Sequence, residues 1–288
     1  MAHDQLAHAL PIALVDVHIH LHPPRLYAAI RRWFAERTEW KIDHPTEPDV
    51  VAATLRASGV ERFVFCSYAH KTGMARELNA WLAQTSRDLG RYGVPLATVH
   101  LDDPDPRADI AAAFDDGCIG LKIHEDVQRL RIDDPRFEPV LALIAEREGF
   151  VLVHVGHVPW HDDTHDGPAR VAQVLERHPR LRVVVAHFGV PDWAGYAARM
   201  PRHPNLFLDT TMAFIAGSPL FAGADRAFVE SIGGAIVFGT DYPNIPYAYG
   251  SDLRGLEELG VSPATLQKIG RDNARRLSPV LAETFAGP

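Results

Sequence analysis

Residues Leu14 to His22 run Leu-Val-Asp-Val-His-Ile-His-Leu-His, with apolar Val15, Val17, Ile19 and Leu21 alternating strictly with Asp16, His18, His20 and His22. Period-two alternation predicts a β-strand and puts the four polar residues on one face. A half-exposed strand would carry that face in water. In a parallel barrel both faces are covered, and an unpaired imidazole there is costly. Two histidines at i and i+2 can bind one ion, each through a ring nitrogen. A lone His-x-His is equally well explained by surface or core histidines, so its weight depends on what the rest of the chain adds.

Short apolar runs then alternate with amphipathic segments to the end of the chain. Further strands are expected at 60–67, 94–100, 118–124, 150–155, 181–187, 205–210 and 235–240, and helices at 74–89, 106–114, 135–148, 168–177, 192–200, 219–230, 253–259 and 263–277. Such βα units in series predict an α/β fold, a closed (β/α)8 TIM barrel. The rival, an open doubly wound sheet, lacks a Gly-rich dinucleotide loop after the first strand. A length of 288 residues suits one barrel domain over 1–288, since such barrels take about 250 residues. Pro23 and Pro24 stop the first strand, a helix is expected at 25–37, Trp33 and Trp40 flank a polar turn, and a short helix follows at 49–58. That stretch exceeds what a βα loop needs, and reads as a capping insertion over the C-terminal end of the barrel.

A net charge of −8 gives no general attraction to nucleic acid or anionic membranes. Cys66 and Cys118 lie in apolar runs and read as buried thiols in a reducing compartment. With neither a signal-peptide pattern nor an apolar run of ~20 residues, a cytoplasmic protein with a small-molecule substrate is expected; a homo-oligomer is compatible with all of this.

Active sites in these barrels gather at the C-terminal strand ends. Those ends carry His18 and His20, Ser67, Tyr68 and His70, His100, Lys122 and His124, His154 and His157, His187, Thr210, and Asp241. Any one buried histidine is best read as a hydrogen-bonded structural residue. Histidines at so many strand ends, with an aspartate after the eighth, are harder to explain that way.

The motifs Asp16-Val17-His18-Ile19-His20, Gly120-Leu121-Lys122-Ile123-His124, Leu152-Val153-His154-Val155-Gly156, Val185-Ala186-His187-Phe188-Gly189, Phe238-Gly239-Thr240-Asp241-Tyr242-Pro243 and Asn273-Ala274-Arg275-Arg276-Leu277 together resemble the amidohydrolase superfamily. The similarity is to its single-metal branch, the amidohydrolase 2 group, which also holds related decarboxylases. It runs from Asp16 to about Leu277, in matching order and spacing. It implies one divalent ion held by His18, His20, His154 and Asp241, with His187 and Asp241 as catalytic residues. Three imidazoles and a carboxylate suit Zn²⁺ best, ahead of Mn²⁺ or Fe²⁺. The expected chemistry is attack of a metal-activated water on an ester, lactone or amide carbonyl of a small, carboxylate-bearing substrate. Non-oxidative decarboxylation on the same ligands is the alternative, and a non-catalytic metal-binding barrel the third reading. Lys122 has three readings: a carboxylated bridge between two ions, an anchor for a substrate carboxylate, or a structural salt bridge. With Lys122, the residues His124, His157, Tyr68 and Tyr242 are expected around the substrate. His161 and His165 read as part of a solvated loop.

Overall fold

The computed structural model describes residues 13–155 and 166–284. Its eight strands are β1 Leu14–His20, β2 Val60–Cys66, β3 Gly93–Pro95, β4 Gly120–His124, β5 Phe150–His154, β6 Arg182–Val185, β7 Leu206–Asp209 and β8 Ile236–Val237. They pair in parallel as two sheets, β1-β2-β3 and β4-β5-β6-β7-β8. Backbone hydrogen bonds join the sheets at both seams. On one side Ile119 donates to Pro95 and Lys122 to Ala97; on the other Val17 donates to Phe238, Asp241 to His18 and His20 to Tyr242. The expected TIM barrel is formed, with β3 and β8 shorter than the apolar runs that contain them. Pro95 has no N–H to continue the β3 ladder.

Two apolar layers stabilise this ring. Val15, Val17, Val64, Leu152, Val184 and Phe207 pack together inside it, and Ala274, Leu277 and Leu281 from the C-terminal segment join them. The alternate residues Phe63, Phe65, Leu121, Ile123, Val151 and Val153 pack outward against helices. Strands buried on both faces read as the continuous apolar runs seen here.

The first strand departs from the simple alternation. Asp16 is opposite Phe63 and Ile19 opposite Phe65, so β1 carries one extra residue there, a β-bulge. Val15 and Val17 point inward and Ile19 outward, and the bulge brings His18 and His20 to the inner rim. Asp16 therefore does not share the histidine face, contrary to expectation. Its carboxylate accepts hydrogen bonds from Thr240 at 2.7 Å and Tyr249 at 3.0 Å.

Helix α1, Pro24–Arg37, and helix α2, Pro48–Ala57, fill the stretch after β1. α2 is the crossover helix, burying Val51, Ala52 and Leu55 in the outer layer. The segment before it is the capping insertion, fastened to the loop after β8. Trp40 Nε1 donates to the Asn244 carbonyl at 2.7 Å, His44 Nε2 to the Tyr247 carbonyl at 2.7 Å, and the Tyr27 hydroxyl to the Asn244 side chain. The helix expected at 219–230 begins only at Arg226, capped by Asp225. Gly223 just before it takes φ 66°, a left-handed conformation a helix cannot pass through. Among the described residues no helix is long and apolar enough to cross a membrane.

Asn273 holds the start of β8 in place. Its buried amide donates to the carbonyls of Gly233 at 2.8 Å and Ile236 at 2.7 Å. Asn273→Ala removes both hydrogen bonds and is expected to lower stability by about 1–3 kcal/mol, read as a shift in the urea midpoint at unchanged m-value. An unchanged midpoint would mean that water or neighbouring N–H groups replace the amide.

Candidate functional site

Four side chains meet at the C-terminal end of the barrel. The Nε2 atoms of His18 and His20 face each other at 3.2 Å. One Asp241 oxygen lies 3.2 Å from the first and 2.8 Å from the second, and Lys122 Nζ is 2.9 Å from His18 Nε2. The bulge delivers the two histidines. Asp241 arrives because its backbone takes φ 62°, a conformation that aspartate tolerates better than most residues, and its N–H donates to the His18 carbonyl at 2.8 Å. Gly239 makes room: a Cβ there would stand 2.9 Å from that of His18 and 3.2 Å from that of Asp209.

Two imidazole nitrogens and a carboxylate oxygen converging this closely suit a shared cation. Donor atoms about 2.0–2.1 Å from a tetrahedral ion stand roughly 3.3 Å apart, and the triangle here has sides of 3.2, 3.2 and 2.8 Å. The field has the same sense. Burial opposes charge on His20, yet Cys66 and Asp241 outweigh it and push its pKa up to about 9. Burial likewise opposes charge on Asp241, but His20 and His18 outweigh it and hold the carboxyl well below its usual range. Burial and then Lys122 push His18 down, toward the neutral, ligating form.

The other nitrogen of His18 is held from behind. Its Nδ1 lies 2.8 Å from Asp209 Oδ2 and 3.2 Å from the Thr211 hydroxyl. Fully buried Asp209 has its carboxyl held below the ordinary value, because His18, His187 and Lys122 outweigh the cost of burial. A carboxylate accepting Nδ1–H leaves Nε2 as the lone-pair nitrogen facing the site. The Cys66 thiol belongs to the same neighbourhood, with one donor atom from each of His18, His20 and Cys66 mutually within 4.8 Å. It lies 3.6 Å from His20 Nδ1, however, whereas Asp241 approaches Nε2.

An arc of imidazoles completes the rim. The rings of His124 and His154 stack at 4.1 Å, His154 meets His187 edge-on at 4.4 Å, and His187 meets His18 at 5.7 Å. Burial holds His124 and His154 well below their usual pKa, and pushes His187 down to about 4 against the pull of Asp241 and Asp209. All three are therefore neutral near pH 7. The backbone N–H of His187 donates to Asp209 Oδ1 at 2.8 Å, while its buried ring Nδ1 has no partner among the described residues. A cavity of about 350 Å³ opens over this floor. Its base includes His20, Lys122, His154, His187 and Asp241, and its walls Phe34, Trp40, Met212 and Leu220.

The expected residues are thus distributed unevenly. His18, His20 and Asp241 are in mutual contact, Lys122 touches His18, and His187, His154, His124 and Tyr68 line the same cavity. His154, expected as a ligand, lines the cavity with its ring against those of His124 and His187. Tyr242 is not at the cavity, contrary to expectation. The left-handed turn at Asp241 sends its 1 %-exposed ring between His44 and Tyr249, beneath the cap. His157 lies outside the described residues. Asp209 was not among the expected residues, although an aspartate closing the apolar run Leu206-Phe207-Leu208 was a legible signal. Thr211, Phe34 and Met212 carried none.

A comparison with curated proteins gives no match. Among solved structures, an uncharacterised TIM-barrel protein, Bb4693 from Bordetella bronchiseptica, superposes with a TM-score of 0.70 at 22% identity, over 94% of this chain and 99% of its own. 2,6-Dihydroxybenzoate decarboxylase from Rhizobium gives 0.64 at 20% identity, over 93% and 99%. 4-Oxalomesaconate hydratase from Rhodopseudomonas palustris gives 0.61 at 16% identity, over 95% and 98%. At such identities these likenesses establish the barrel and not the reaction. The amidohydrolase family model matches residues 15–279. On that match, which spans nearly the whole chain, the protein belongs to the amidohydrolase family.

Proposed function

We propose that this protein is a metal-dependent hydrolase that cleaves an ester, lactone or amide carbonyl in a small substrate. The observation that carries the reading is the triangle of His18 Nε2, His20 Nε2 and Asp241 Oδ1 beneath an apolar-walled cavity. His18, His20 and Asp241 would hold one divalent ion, with His154, which lines the same cavity, as the further ligand. Such an ion, Zn²⁺ fitting this donor set best, supplies Lewis acidity and an acidified water near neutral pH.

The side chains then divide the remaining work. Asp209 and Thr211 keep the His18 ring oriented. Asp241, ionised and 13 % exposed toward the cavity, accepts the proton of the attacking water and passes it to the departing alkoxy or amino group as its bond to the carbonyl carbon breaks. Neutral His187 lines the cavity, and its ring N–H donates to the carbonyl oxygen as charge develops there. The test is turnover of an ester, lactone and amide panel by the metal-loaded protein, with a chelated control. No hydrolysis of any member, alongside CO₂ release from aromatic or unsaturated acids, would replace this reading.

Decarboxylation is the second reading because of Lys122. It is 1 % exposed, its Nζ lies 2.9 Å from His18 Nε2 and, among the described residues, it has no carboxylate oxygen within 4.0 Å, so a substrate carboxylate would be its ion-pair partner. Lys122→Ala separates the roles. As an anchor, its loss leaves the metal bound and raises KM or lowers kcat by about 10- to 100-fold. As a carboxylated bridge, its loss strips metal. Elemental analysis of the variant decides, and metal retention is expected.

A further inference from the structure

A second cavity, of about 420 Å³, adjoins the first. The two share Phe34, Tyr68 and His124 in their linings, so an aromatic pair and an imidazole stand at the boundary between them. One wall of the second cavity is α1, through Leu26, Ala29, Ile30 and Trp33. These residues have i, i+3, i+4, i+7 spacing, the stripe by which a helix buries itself in a core. In α1 that stripe is not used so: Tyr27, on another face, is the helix's one buried residue, Ala29 is exposed, and Leu26, Ile30 and Trp33 are only half-buried. The apolar face of α1 therefore looks into ligand-sized space next to the catalytic cavity. His70, Asp126 and Arg129 supply its polar lining.

We infer that this cavity is a substrate-binding subsite. The substrate is an elongated acyl compound whose reacting carbonyl lies over His20 and Asp241, and whose apolar arm, alkyl or aryl, passes Phe34 and Tyr68 to lie along α1. This rests on the hydrolase reading for the carbonyl end, while the arm rests on the second cavity alone. Apolar area buried per methylene sets the expected size of the effect, about fourfold in affinity for each methylene that is fully buried.

The test uses straight-chain carboxylates from acetate to octanoate as probes of the zinc-loaded protein, with tryptophan emission as the readout. Octanoate should bind at least tenfold more tightly than butyrate. In Trp33→Phe its emission change should fall to the smaller response that butyrate gives, which persists. Ala29→Trp, at an exposed position that does not threaten folding, fills the second cavity and should reduce the octanoate-to-butyrate ratio to below about threefold with butyrate binding unchanged. Ile30→Glu should do the same by charge. A length dependence that survives both substitutions, or none in the unaltered protein, would overturn the subsite and leave the hydrolase reading standing. Acetate and butyrate binding that ignores added Zn²⁺ would instead sink the hydrolase reading, and the assignment of the carbonyl end with it.

Discussion

His187→Asn is expected to yield a folded, metal-loaded protein whose turnover is lower by about 10²- to 10⁴-fold. Asparagine is the informative replacement because His187 sits at φ 56°, a backbone conformation asparagine tolerates, and because the bond to Asp209 comes from the backbone N–H, which is retained. The substitution thus removes the ring and little else. If the ring tied β6 to β7, its loss would lower stability by about 1–3 kcal/mol with per-site turnover intact. Thermal unfolding and single-turnover rates on the same preparation separate the two. An early-melting variant with normal turnover would remove His187 from the catalytic machinery.

His18→Ala is expected to abolish both metal binding and activity, since it deletes one corner of the donor triangle and takes from Asp209 Oδ2 its imidazole partner. Asp209→Asn should fall between this variant and the parent. It keeps the shape but withdraws the carboxylate from His18 Nδ1, and should weaken metal affinity by about 10- to 100-fold while leaving activity recoverable at high metal concentration. Full metal occupancy in His18→Ala would place the ligands elsewhere. Affinity in Asp209→Asn equal to that of the parent would mean that Thr211 alone orients the ring.

The eight-strand rhythm was legible because each strand is buried on both faces, and a doubly covered strand has to be a continuous apolar run such as Val183-Val184-Val185. The strand ends were legible for the opposite reason. Polar residues such as His124, His154 and Asp241 end or closely follow those runs and mark the rim. What sequence periodicity missed was local backbone geometry. Strict alternation put Asp16 beside His18, whereas the bulge in β1 turns Asp16 outward to Thr240 and Tyr249. The same limit applies to Tyr242, which follows the left-handed residue Asp241, whose φ of 62° no periodic pattern encodes. Contacts made across the barrel are non-local, so the pairing of Asp209 with His18, 191 residues apart in sequence, leaves no periodic trace. Nor does the proximity of α1 to the catalytic floor, which follows from the latch between Trp40 and Asn244.

The most direct measurement is elemental analysis of the purified chain, paired with activity before and after chelation. The donor triangle predicts about one divalent ion per chain, loss of turnover when a chelator removes it, and recovery on adding Zn²⁺ back. A protein free of transition metal whose turnover is the same with and without chelator would contradict the assignment of His18, His20 and Asp241 as a metal centre.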